Sequence, residues 1–164
     1  MIVRIAKVLL VTLIGLFSLL VGVDNIIDYG TNYAFVQHVM SMDTVFPNST
    51  LTWRAITSPA LQQAAYALII AAELLTGVLC VLGAWRLWNA RAYFAVDFNA
   101  AKDIAIAGLV CGFALWFFGF MAVGGEWFQM WQSQTWNGQA AAFRFIGCIG
   151  LVLIFLAQKD DELA

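Results

Sequence analysis

The sequence predicts an all-α fold, a four-helix transmembrane bundle with a partly helical outer loop, and three observations carry that expectation. Asp, Glu, Lys and Arg make up only 11 % of the 164 residues, where an ordinary soluble domain carries roughly 25 %. Hydrophobic residues reach 63 % and the mean hydropathy is +0.85. That excludes a disordered chain, which needs low hydrophobicity and high charge, and it argues against a globule that must cover its apolar surface with polar residues. Four apolar stretches are each long enough for a hydrocarbon layer that takes about 20 residues of helix.

The first stretch runs from Ile5 to Val23. Its basic start, with Arg4 and Lys7, resembles a signal peptide, but a run of 19 residues exceeds the usual about 7–15 of such a segment, and no small-residue cleavage site follows. The expectation is an uncleaved first helix. The second stretch covers about Leu61 to Ala84, behind Ser58-Pro59, an N-cap followed by proline at the first helical position. The third covers about Ile104 to Val123, with Gly124-Gly125 as its stop, and the fourth about Gln139 to Ala157, with Asn137 as its cap. Together they make one integral membrane domain over residues 1–164.

Lys and Arg in short connections orient such a bundle. Arg4, Lys7, Arg86, Arg91, Lys102 and Lys159 fall on one side and Arg54 alone on the other, which predicts cytoplasmic termini. Trp85 and Trp88 mark the inner interface, and Trp53, Trp127, Trp131 and Trp136 the outer one; Trp116 is mid-span. The segment from Asp24 to Ala60 is too long for a structureless loop. Within it, Tyr33, Val36, Val39 and Met40 recur at helical spacing.

Ionisable groups within a bilayer are functional suspects by default. Glu73 lies near the middle of the second span and Arg144 in the outer third of the fourth. At about 1.5 Å per residue they sit about 16 and 8 Å deep. They form an ion pair only if Arg144 reaches inward. Asp24 and Asp28, four residues apart near the end of the first span, match the depth of Arg144 better. Three readings of this polar cluster stand: a clamp fixing helix register, a proton or substrate path, and a site for a partner subunit or lipid.

The second constellation is His38, Met40, Met42 and Asp43 in the outer loop. Imidazole with two thioethers is a ligand set that suits Cu(I). The competing reading is interfacial packing, with His38 hydrogen-bonded to a neighbour. A single histidine excludes a bis-histidine haem, and no cofactor or metal is expected. Cys80, Cys111 and Cys148 lie inside apolar runs, form no CxxC pair, and read as packing residues. Gly108-x-x-x-Gly112 and Ser18-x-x-x-Gly22 permit close helix approach, within the bundle or toward another copy. The expected partners are the lipid bilayer and a membrane protein or second copy. A net charge of −2 offers nothing to nucleic acid.

Asp24-Asn25, Asn32, the Phe35-Val-x-His-Val39 run and Ser41-Met-Asp43, with four spans in so short a chain, resemble the bacterial family of predicted small integral membrane proteins known as domain of unknown function 2165. The resemblance covers essentially the whole chain and implies a bacterial inner membrane and four spans, with no activity attached. Ala72-Glu-Leu-Leu-Thr-Gly77 through Leu82-Gly83 is similar to the second span of DoxX-like four-helix membrane proteins, some of them associated with redox systems. On these readings the chain is a non-catalytic structural or accessory component of a membrane complex. The alternatives are a small proton-coupled transporter component using Glu73 and Arg144, and a redox-associated subunit of DoxX type.

Overall fold

The computed structural model describes residues 1–162; the last two positions of the C-terminal run, 163 and 164, lie outside the described residues. The helices are α1 (Ile2–Ile27), α2 (Tyr29–Ser41), α3 (Pro59–Ala90), α4 (Ala95–Ala100), α5 (Asp103–Ala114), continued by a π-helical segment (Leu115–Trp127), and α6 (Gln139–Ala157). Four helical stretches, Ile2–Ile27, Pro59–Ala90, Ala95–Trp127 and Gln139–Ala157, are long and apolar enough to cross a membrane. The 32 residues of α3 reach about 48 Å, so its ends stand beyond the hydrocarbon or the helix tilts within it.

α1 packs along α3, α3 along α5, and α6 closes the bundle against α5 and its π continuation. Small residues set these approaches. A Cβ added at Gly108 would meet the Cys80 backbone nitrogen at 2.8 Å, and one at Gly112 would meet the Thr76 methyl at 2.8 Å. The Gly108/Gly112 pair is therefore spent inside the bundle, against α3. Ser18 and Gly22 serve the α1–α3 contact in the same way: the Ser18 hydroxyl donates to the Glu73 carbonyl at 2.8 Å, and Gly22 faces Leu74. Trp116 is buried between Phe17 and Phe145, with ring centroids 5.9 and 5.4 Å away.

Gly124-Gly125 does not stop the third span, which runs on to Trp127. The pair instead lets neighbours come close, since a Cβ on Gly125 would collide with the Gln139 side chain. Asn137 acts at the start of α6, where its Oδ1 accepts from the Gln139 N–H at 3.1 Å, and Ser58-Pro59 opens α3. The long connection is ordered. Its Val36, Val39 and Met40 are buried on α2, and Ile56 N–H donates to the Met40 carbonyl at 2.8 Å.

The two ends of the bundle differ. The loop end gathers α2, the connection to α3 and residues 128–138, tied by Phe46 N–H to Gln132 at 2.8 Å and Thr44 to Ser133 at 2.9 Å. The terminal end gathers the start of α1, the α3–α5 connection and the tail after α6. There Asp160 accepts from Lys7 Nζ at 2.5 Å and from Lys102 Nζ at 2.6 Å. Arg4 donates to the carbonyls of Arg91, Tyr93 and Asp161 at 2.7–3.1 Å. The side chains of Arg4, Lys7, Lys102 and Asp160 are all buried.

Candidate functional site

The polar residues within the span levels sort by rotation about each helix. On α1 the buried stripe includes Ser18, Gly22 and Asn25, spaced as one helical face. Asn25 therefore points into the bundle, where its Nδ2 donates to Glu73 Oε2 at 2.7 Å. Glu73 is 2 % exposed, and among the described residues its Oε1 has no hydrogen-bond partner. Tyr66, two turns nearer the loop end on α3, is also buried and donates its hydroxyl to the Asn25 carbonyl at 3.0 Å. This Asn25–Glu73–Tyr66 group joins α1 to α3.

The structure does not bring Glu73 and Arg144 together. The buried positions of α6 are Ala142, Ile149, Val152 and Leu156. Arg144 stands two residues on from Ala142, about 200° around the helix, and is exposed. It lies near the loop end of α6, where a long cation reaches the interface along its own stem. Asp24 and Asp28 are exposed too and do not join the intramembrane group. Asp24 is one residue off the Asn25 stripe, and Asp28 sits at the break between α1 and α2, where it accepts from the Thr31 hydroxyl at 3.0 Å. The polar partner of Glu73 is an amide that sequence reading passed over. Its signal was the Ser18, Gly22, Asn25 spacing on one face.

The outer-loop motif separates. His38 Nδ1 lies 2.7 Å from Asp43 Oδ2, and its ring stacks on Trp136 at 4.5 Å between centroids and 10° between planes. Met40 and Met42 are buried in the apolar cluster of the loop end. Met42 caps α2 with a left-handed backbone, φ 52°, a conformation uncommon outside glycine. That turn sends its side chain inward. The imidazole is held by Asp43 and Trp136 while the thioethers pack in the apolar cluster, and among the described residues no group of three or more His, Cys, Asp and Glu side chains is placed to hold a metal ion.

Glu73 and Asn25 line a chamber of about 210 Å³ among α1, α2, α3, the π segment and α6. Asn32 and Gly138, both of the loop end, belong to its lining, as does Trp116. The rings of Phe35, Tyr66, Phe120 and Phe145 complete most of the wall. The chamber abuts a larger apolar groove of about 620 Å³ between α2, α3 and the π segment, and Phe35, Val36, Ile69 and Phe120 line both. A π-helix is rare and tends to occur at functional sites; here it carries Trp116 and Phe120 into the chamber wall.

A bundle of four spanning helices with a glutamate-lined chamber near one end defines a small integral membrane protein whose polar interior lies among its helices. The chain belongs to the family described as predicted small integral membrane protein, domain of unknown function 2165, whose sequence model matches residues 3–159. No curated protein matches it. No solved structure matches it either. The shorter similarity to DoxX-like proteins has no counterpart in these comparisons.

Proposed function

We propose that this protein is a non-catalytic component of a bacterial inner membrane, with both termini cytoplasmic, that holds a small ligand in the Glu73 chamber as an accessory part of a membrane assembly. The observation behind this reading is the chamber itself. Its polar lining consists of one carboxyl, two amides and a phenol whose hydroxyl is already committed to Asn25. Such groups bind and orient. Trp116 and Phe145 line the chamber, and Phe17, outside its lining, packs against both rings. This arrangement favours holding over conducting, and Arg144 takes no part in it. The orientation rests on the six-to-one distribution of Lys and Arg.

Substituted-cysteine labelling tests the reading. Asn32 lines the chamber from α2 and is exposed. In intact spheroplasts, a membrane-impermeant thiol reagent is expected to modify Asn32→Cys, and to modify Glu162→Cys at the terminal end only after lysis. Labelling of the Asn32→Cys variant at that position only after lysis would reverse the orientation. A thiol there that stays inert on both sides would remove the open chamber.

A further inference from the structure

The chamber carries one acidic side chain, Glu73, and among the described residues none of its lining is basic. Among the described residues Glu73 accepts a single hydrogen bond, from Asn25, and its other carboxylate oxygen is left without a partner. The basic residue that the sequence offered as its partner, Arg144, is exposed on another face of α6. A buried carboxyl in a low-dielectric site draws a positive charge strongly, because attraction there is weakly screened. The walls name the kind of cation. Tyr66, Trp116, Phe35, Phe120 and Phe145 present aromatic rings around the same space, and ring faces attract an ammonium whose hydration shell is shed. A metal ion would find too few oxygens, since calcium takes 6–8 and magnesium keeps an octahedral shell. The volume of about 210 Å³ is several times the roughly 30 Å³ share of one water, room for a compact organic ion.

We propose that the chamber is a binding site for a small organic ammonium, its cationic centre against Glu73 Oε1 and inside the ring of aromatic side chains, with Asn25 holding the other carboxylate oxygen in place. The proposal rests on the ligand-holding reading of the same chamber and adds the chemical class of the ligand. Neutral molecules of the same shape gain the apolar contacts but leave Glu73 unpaired. Anions meet an unpaired carboxyl and no basic group.

The test uses the full chain in nanodiscs carrying Asn32→Cys, at an exposed position of the chamber lining, with labelling by a small neutral thiosulfonate read on the peptide holding residue 32. Two probes of one shape are compared, choline and its uncharged isostere 3,3-dimethylbutan-1-ol. Choline at saturation is expected to slow labelling about tenfold while the neutral alcohol leaves it nearly unchanged, a contrast that matches a desolvated cation–π and carboxylate site. Glu73→Gln, which keeps an acceptor for Asn25, is expected to abolish the choline protection, and Glu73→Asp to retain part of it. The comparison of the two probes stands even if Glu73→Gln fails to fold. Ready labelling that choline does not slow, equal slowing by both probes, or choline protection that survives in Glu73→Gln overturns the ammonium assignment and leaves the ligand-holding reading intact. No labelling at all of the Asn32→Cys thiol removes both.

Discussion

The bundle buries charge at its two ends in opposite ways. At the terminal end, Arg4, Lys7, Lys102 and Asp160 are buried together. Lys7 reaches the Gln158 carbonyl and Asp160, Lys102 reaches Gln158, Asn99 and Asp160, and the Arg4 guanidinium lies over the Phe98 ring at 4.8 Å. These bonds lash the first helix, the α3–α5 connection and the tail together. Within the spans, on the side toward the loop end, a single carboxyl, Glu73, is buried with one amide donor and an open chamber beside it. A carboxyl paired with two buried lysines fastens; a carboxyl with one amide donor beside a cavity is equipped to bind. The two regions also differ in sequence reach, because the fastening joins residues 153 apart and the Glu73 group joins neighbouring helices.

The largest effect expected from this contrast comes from Asp160. Asp160→Asn leaves two buried lysines without their carboxylate, and breaking a buried pair by removing one partner costs about 3–5 kcal/mol. Thermal unfolding in mild detergent should register that loss, and adding Lys7→Met should restore part of it. No loss would mean that the terminal end is not fastened by charge. The same residue predicts a pH dependence. Burial pushes the Asp160 carboxyl up, but the hydrogen bonds and charges of Lys102 and Lys7 outweigh it and hold it below the usual carboxylate value. A depressed value in the folded state means stability that is fully present above about pH 4, the unfolded carboxylate range. It is lost as pH falls through the lower folded value. Melting temperatures taken downward from pH 5 should therefore fall more steeply in the wild type than in Asp160→Asn.

The loop end should respond less. Asn25→Leu strips Glu73 of its donor and is expected to cost about 1–3 kcal/mol, the penalty of a buried polar group left unmatched. Glu73→Gln preserves the Asn25 contact and should change the same melt by less than Asn25→Leu does. A larger loss in Glu73→Gln would turn the carboxyl into a fastening element and erase the contrast. The smallest effect is expected at His38 and Asp43. Both are partly exposed, and exposed ion pairs contribute about 0.2–1 kcal/mol, so Asp43→Asn should shift the melt only slightly. A large shift would show that the His38–Trp136 stack depends on Asp43.

Much of the architecture was legible in the residues. Where the fourth span was expected, at Gln139 to Ala157, the chain is helical as α6, and the helix expected through Val36, Val39 and Met40 is α2. Each is a local signal, a run of apolar residues or a repeat at helical spacing. The candidate site was legible only in part. Glu73 stood out because a carboxyl in an apolar run is conspicuous by itself. Its partner did not, because choosing among Asp24, Asn25 and Asp28 depends on the rotation of α1 against α3, which is set by the contact of Ser18 and Gly22 with α3. Arg144 was equally conspicuous in the sequence, yet α6 presents Ala142 to the chamber and turns Arg144 away.

The sequence by itself determined the class, the four spans and the list of charges that stand out, because hydropathy and length act along a short stretch of chain. The tertiary structure decided which of those charges meet. It buried Lys7 and Lys102 on Asp160, set Asn25 on Glu73, and left a ring-walled space beside the carboxyl. The physical reason is that a pairing across the bundle requires two helices to agree in rotation and depth at once, and no local pattern in either helix states the phase of the other.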